Sequence, residues 1–82
     1  MGSRTHRHHV VAGVPAQLPA VGTAVEVVRT DGTTLAGTVT AVSATEITVR
    51  SLAARWYNRS SHTHTLRWAE ASEWTQLAFT AY

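Results

Sequence analysis

A length of 82 residues, a net charge of +2 and no cysteine bound the chain before any motif is read. Such a length makes one domain that buries roughly 60–65% of its unfolded surface. Without cysteine it has neither a disulfide nor a thiolate zinc site to staple it. A closed barrel, a partner or self-association are the remaining routes to stability.

All the basic residues are arginine, and alanine and threonine are abundant, as GC-rich coding favours. The placement of charge is more useful. Arg50, Arg55, Arg59 and Arg67 fall in one stretch without an acid, whereas Glu70 and Glu73 follow without a base. A locally basic segment suits an anionic partner. No apolar run approaches the ~20 residues of a membrane span, so no membrane contact is expected. The start of the chain carries Arg4, Arg7 and histidines but no apolar stretch long enough for a signal peptide, so a cytoplasmic protein is expected.

In chain order, residues 1–19 read as a flexible N-terminal arm. They lack sustained periodicity, and Pro15 and Pro19 bracket Ala16-Gln17-Leu18. Val10, Val11 and Val14 could add an edge strand or pack on a neighbour. A barrel domain is expected over 20–82. Its first strand spans about Thr23 to Thr30, with Val25 and Val27 in alternation, and Asp31-Gly32 turns the chain. The second spans about Thr33 to Val42, with Leu35, Val39 and Ala41 repeating the period of two. Gly37 shares their face, which marks a sharp bend or a close backbone approach. After Ser43-Ala44-Thr45, the third strand starts at Glu46, carries Ile47 and Val49, and runs toward Tyr57. Asn58-Arg59-Ser60-Ser61 is rich in turn formers. A fourth strand is expected from His62 to Trp68, about one helical turn over Ala69–Ser72, and a last strand from Glu73 to Phe79.

The expected fold is therefore all-β: a small five-stranded antiparallel barrel with a flexible arm and one short helical turn before the last strand. The segment DGTTLAGTVTAVSATEITV resembles the first motif of the Sm-like family, within the wider SH3-like barrels. Asp31-Gly32, Gly37, Val39, Val42, Ile47 and Val49 fall where that motif has its turn, bend glycine and core. LRWAEASEWTQLAF resembles the family's fourth strand, short turn and fifth strand. The resemblance spans about half the chain and implies the barrel. It departs where function lies: Glu46 matches the acidic position before strand three only loosely, Thr48 stands near the place of a nucleotide-contacting asparagine, and the family's N-terminal helix is not evident. The RNA-binding role of the family does not follow from it.

Four constellations bear on function. Arg55-Trp56-Tyr57-Asn58-Arg59, with Arg50 and Arg67 beside it if strands three and four pair, offers guanidinium groups for phosphate and rings for stacking on bases. The competing reading is a long hairpin whose rings cover the barrel end. His62 and His64 share a strand face and are the candidate metal pair, but a third ligand would have to come from the arm or another subunit. The plainer expectation is a half-buried His64 beside Leu66 and Trp68, so no metal and no cofactor are expected. Ser60-Ser61-His62 has no acidic orienter, and neither cysteine nor lysine is present for covalent catalysis, so the chain reads as a non-enzyme. Finally, Trp74 and Leu77 fall on opposite faces of the last strand. Together with Phe79 they suggest a self-association surface, unless the arm folds back over it.

The leading expectation is a binding module for nucleic acid or a nucleotide. The alternative is a homo-oligomeric structural or assembly protein, for example a component of a phage or mobile-element particle. A homo-oligomer is expected under either.

Overall fold

In a computed structural model, residues 7–51 and 62–77 are described. They form one antiparallel sheet of seven strands, curled into a half-barrel. The strands are β1 (Arg7–Val11), β2 (Val14–Pro15), β3 (Ala24–Arg29), β4 (Thr34–Val42), β5 (Glu46–Ser51), β6 (Thr63–Arg67) and β7 (Ala71–Gln76). A 3-10 turn, Trp68–Glu70, leads from β6 into β7. The order across the sheet is β2-β1-β7-β3-β4-β5-β6.

The five strands expected after residue 20 are β3 to β7. Two more come from the expected arm, so a five-stranded barrel with a flexible arm is corrected over residues 7–15. The reason is a tight hairpin and a waiting edge. Ala12 and Gly13 both take positive φ, 53° and 77°, the geometry of a two-residue hairpin turn that follows strand twist. They set Val11 opposite Val14 and Val10 opposite Pro15. β1 then pairs with β7 through Arg7–Thr75, His8–Trp74 and His9–Glu73, which puts Val10 into the core. β7 would otherwise present unpaired backbone groups beside an apolar Trp74.

Alternation supplies most of the core. Val25, Val27, Leu35, Val39, Ile47, Val49, Leu66, Ala71 and the indoles of Trp68 and Trp74 are buried together. Each fully buried valine or isoleucine contributes about 1.5–3 kcal/mol. Two bulges alter the phase. In β4, Val39 faces Val49 but Ala41 faces Thr48, so Thr40 is an extra residue. Ala41, expected inward, is exposed, and Val42 packs on the core in its place. One inserted residue moves everything after it to the other face. In β7 the register slips between Val28–Glu73 and Arg29–Ala71. Ser72 is the extra residue and donates its hydroxyl to the Val28 carbonyl at 3.2 Å. Ala71 and Trp74 therefore both point inward, although they are three positions apart.

Gly37 lies between Val25 and Ser51 on the inner face of the sheet. A Cβ there would collide with the Arg50 carbonyl oxygen and lie 2.6 Å from Val49 Cγ1. Only glycine permits that approach. Trp68 fixes the neighbouring hairpin: its Nε1–H donates to the Ser43 carbonyl and its backbone N–H to the Thr45 carbonyl, both at 2.9 Å. The helical turn expected over Ala69–Ser72 is this 3-10 turn, which starts one residue earlier and ends two earlier, so that β7 begins at Ala71 rather than Glu73.

Candidate anion-binding face

Of the side chains expected to meet an anion, Arg50 and Arg67 sit on the outer face of β5 and β6. In β5, Ile47 and Val49 point inward, which leaves Glu46, Thr48 and Arg50 outward. In β6, Leu66 is inward, and Thr63, Thr65 and Arg67 are outward. The register sets Arg50 opposite Thr63, Thr48 opposite Thr65, and Glu46 opposite Arg67. Thr48 and Thr65 join their hydroxyls at 3.0 Å between the two arginines. From β4, Thr38 faces Arg50 on its other side. Arg50 and Arg67 are both exposed and about 13 Å apart along the strands. Neither forms an ion pair with a described residue, whereas on the far side of the sheet Arg7 and Glu73 approach to 3.8 Å.

Arg55, Trp56, Tyr57 and Arg59 lie outside the described residues, in the segment that joins β5 to β6. So does Phe79.

His62 and His64 lie on the concave side of β6, with ring centroids 6.4 Å apart. Both are exposed. The expected half-buried His64 is corrected, because β6 is the edge strand and nothing described covers its end. Among the described residues no three histidine or acidic side chains cluster as a metal site would need.

Trp74 is not on an open edge. β7 runs between β1 and β3, and the indole is 2% exposed. His8 stacks on it with centroids 4.2 Å apart and planes at 26°. Its Nε1–H donates to the Gln17 carbonyl at 2.8 Å. The returning N-terminal segment thus covers it. Leu77, half-buried, continues the pairing by donating its N–H to the Ala24 carbonyl at 2.8 Å.

Beside Arg50 lies an open trough of about 460 Å³, lined by Val21, Gly22, Thr38, Val39, Thr40 and Arg50. Sequence reasoning missed it. Its walls come from the loop before β3 and from the bulge in β4. That loop is tied to the bulge by Gly22 N–H to the Val39 carbonyl at 2.8 Å and Val39 N–H to the Thr23 carbonyl at 2.9 Å. The outward threonines of β4 were the available signal, read only as composition.

Comparison with protein-family models, with curated proteins and with solved structures finds no match to this chain.

Proposed function

We propose that the chain is a small, non-enzymatic binding module of the SH3-like or Sm-like kind that binds single-stranded nucleic acid or a nucleotide. The barrel part of this reading draws on the curl of the sheet, on the close approach that Gly37 permits and on the short turn before the last strand. The ligand part is carried by one observation: Arg50 and Arg67 stand exposed on one face of adjacent strands, without an ion pair to any described residue. They bracket a segment with two more arginines, Trp56 and Tyr57. Arginine binds phosphate through a planar fork of donors, and an aromatic ring stacks on any base.

The test is fluorescence anisotropy with labelled single-stranded DNA, single-stranded RNA and mononucleotides at two salt concentrations. Binding should weaken steeply with salt, since phosphate contacts release counterions. Replacing Arg50 and Arg67 together should flatten that dependence. Trp56→Ala should weaken binding at both salts, by roughly 1–3 kcal/mol per stacked base. If the unaltered protein binds none of these at low salt, the reading is wrong.

A second reading, an assembly module, is favoured by Val11 and Val14, which are 71% and 66% exposed on the edge hairpin. Replacing both with threonine keeps strand propensity and removes apolar surface. Sedimentation should then show a smaller species than the parent protein; a monomeric parent ends this reading.

A further inference from the structure

We infer that the trough between Arg50 and the Val21–Gly22 loop is a phosphate seat. There Arg50 provides the charge, and the hydroxyls of Thr38 and Thr40 complete the recognition of one phosphodiester group. The inference rests on the nucleic-acid reading and adds the subsite, its residues and its ligand chemistry.

The register builds it. Ala24, Thr38, Arg50 and Thr63 form one row across β3, β4, β5 and β6 on the outer face. The row contains one arginine, two threonines, one alanine and no carboxylate. Directly opposed residues have Cβ atoms about 4.5–5.5 Å apart, so Thr38 is within reach of whatever Arg50 holds, while Thr63, on the other side of Arg50, does not line the trough. The hydroxyls of Thr38 and Thr63 make no hydrogen bond to a described residue. Thr40 makes a long one, 3.4 Å to the Thr48 carbonyl. Donors that are not committed within the fold can turn to a ligand without first breaking a bond.

The bulge matters for the same reason. In a regular strand Thr40 would continue the outward row behind Ala36 and Thr38. The extra residue instead turns the strand locally, and the Gly22–Val39–Thr23 hydrogen bonds clamp it. Gly22 has open space where a side chain would stand, so the trough is unobstructed on that wall. Val21, 61% exposed at the rim, offers an apolar contact to a sugar or base beside the phosphate. The volume lies within the range of small-ligand sites. Phosphate is favoured over a carboxylate because the trough offers a guanidinium and two hydroxyls, on Thr38 and Thr40. A tetrahedral group with three or more acceptor oxygens has one for each of these donors, whereas a planar carboxylate has only two. The outward acids stand outside this row: Glu26 opposite Ala36 on β3, and Glu46 four positions before Arg50 on β5.

The experiment uses a labelled oligothymidylate as probe, with inorganic phosphate and a polyglutamate peptide as competitors. Arg50→Lys keeps the charge and removes the fork. Thr38→Val and Thr40→Val keep the branched shape on an exposed face and remove only the hydroxyl. Each threonine variant should weaken oligothymidylate binding roughly twofold to tenfold, the effect of one net hydrogen bond. Arg50→Lys should weaken it more than either while leaving the salt slope unchanged. Amide shifts in the unaltered protein should concentrate at Gly22, Thr38, Thr40 and Arg50, and phosphate should compete better than polyglutamate. If the oligonucleotide binds but these variants match the parent, or the shifts fall elsewhere, the seat is overturned and the nucleic-acid reading stands. Preferential competition by polyglutamate overturns the assignment to phosphate. A parent protein that binds no oligonucleotide overturns both.

Discussion

Trp74 in β7 donates its indole N–H to the backbone carbonyl of Gln17, 57 positions earlier in the chain, at 2.8 Å. With the His8 ring laid on the same indole, this bond adds to the β1–β7 pairing in holding the N-terminal segment to the core. Trp74→Phe should keep the apolar packing and lose the bond, at a cost of about 1 kcal/mol. Trp74→Ala should cost about 3–5 kcal/mol. Urea unfolding measures both. In the Phe variant, hydrogen exchange should quicken at Ala16, whose N–H donates to the His9 carbonyl, and not at β4 and β5. Uniform quickening would show that the bond does not act on the hairpin selectively.

Gly37→Ala should sharply reduce folded protein, with a loss above the ~1 kcal/mol range of ordinary substitutions. The added methyl meets the backbone oxygen of Arg50, which cannot swing aside as a side chain would. Gly22→Ala meets no neighbouring atom, so its cost should be confined to its φ of 93°, about 1–2 kcal/mol. Thermal unfolding of the two variants side by side distinguishes them. Equal melting temperatures would remove the close-approach argument.

Ala12→Asn should stabilise the protein. Ala12 holds a φ of 53°, where alanine is strained and asparagine is tolerated, and the turn would become Asn-Gly. A gain of roughly 0.5–1 kcal/mol is expected in chemical denaturation. No gain would mean that the β1–β2 hairpin does not limit stability.

The Thr33 hydroxyl and backbone N–H donate to Asp31 Oδ1 at 2.7 and 2.9 Å, and the hydroxyl bond is the main reason that Asp31's pKa is lowered. A carboxylate with a depressed folded pKa stabilises the fold above its unfolded pKa, and that contribution disappears as pH falls through the folded value. The β3–β4 turn should therefore loosen only below the ordinary carboxylate range. Thr33→Val should raise the Asp31 pKa toward its ordinary value in an NMR titration. An unchanged titration would show that the hydroxyl does not hold the anion.

The period of two determined the strands from Ala24 onward, since valine, leucine and isoleucine at alternate positions have one way to share a face. Asp31-Gly32 and Ser43-Ala44-Thr45 placed the turns through their own backbone preferences, and Gly37 marked a close backbone approach because it has no side chain. Neighbour effects of this kind are legible in a chain. The hairpin of residues 7–15 was legible only as an option, an edge strand carrying Val10, Val11 and Val14 beside a flexible arm, because its strands are too short to show a period and depend on the edge of β7, far away in sequence. Likewise, neither bulge follows from local preference: Thr40 and Ser72 are extra only relative to the strands opposite them. Those bulges decide that Val42 rather than Ala41 faces the core, and that Ala71 can join Trp74 there. At the candidate site, the sequence marked Arg50 and Arg67 by charge, but it could not set Thr38 and Thr63 on either side of Arg50. Register is a relation between strands, and only the folded sheet contains it.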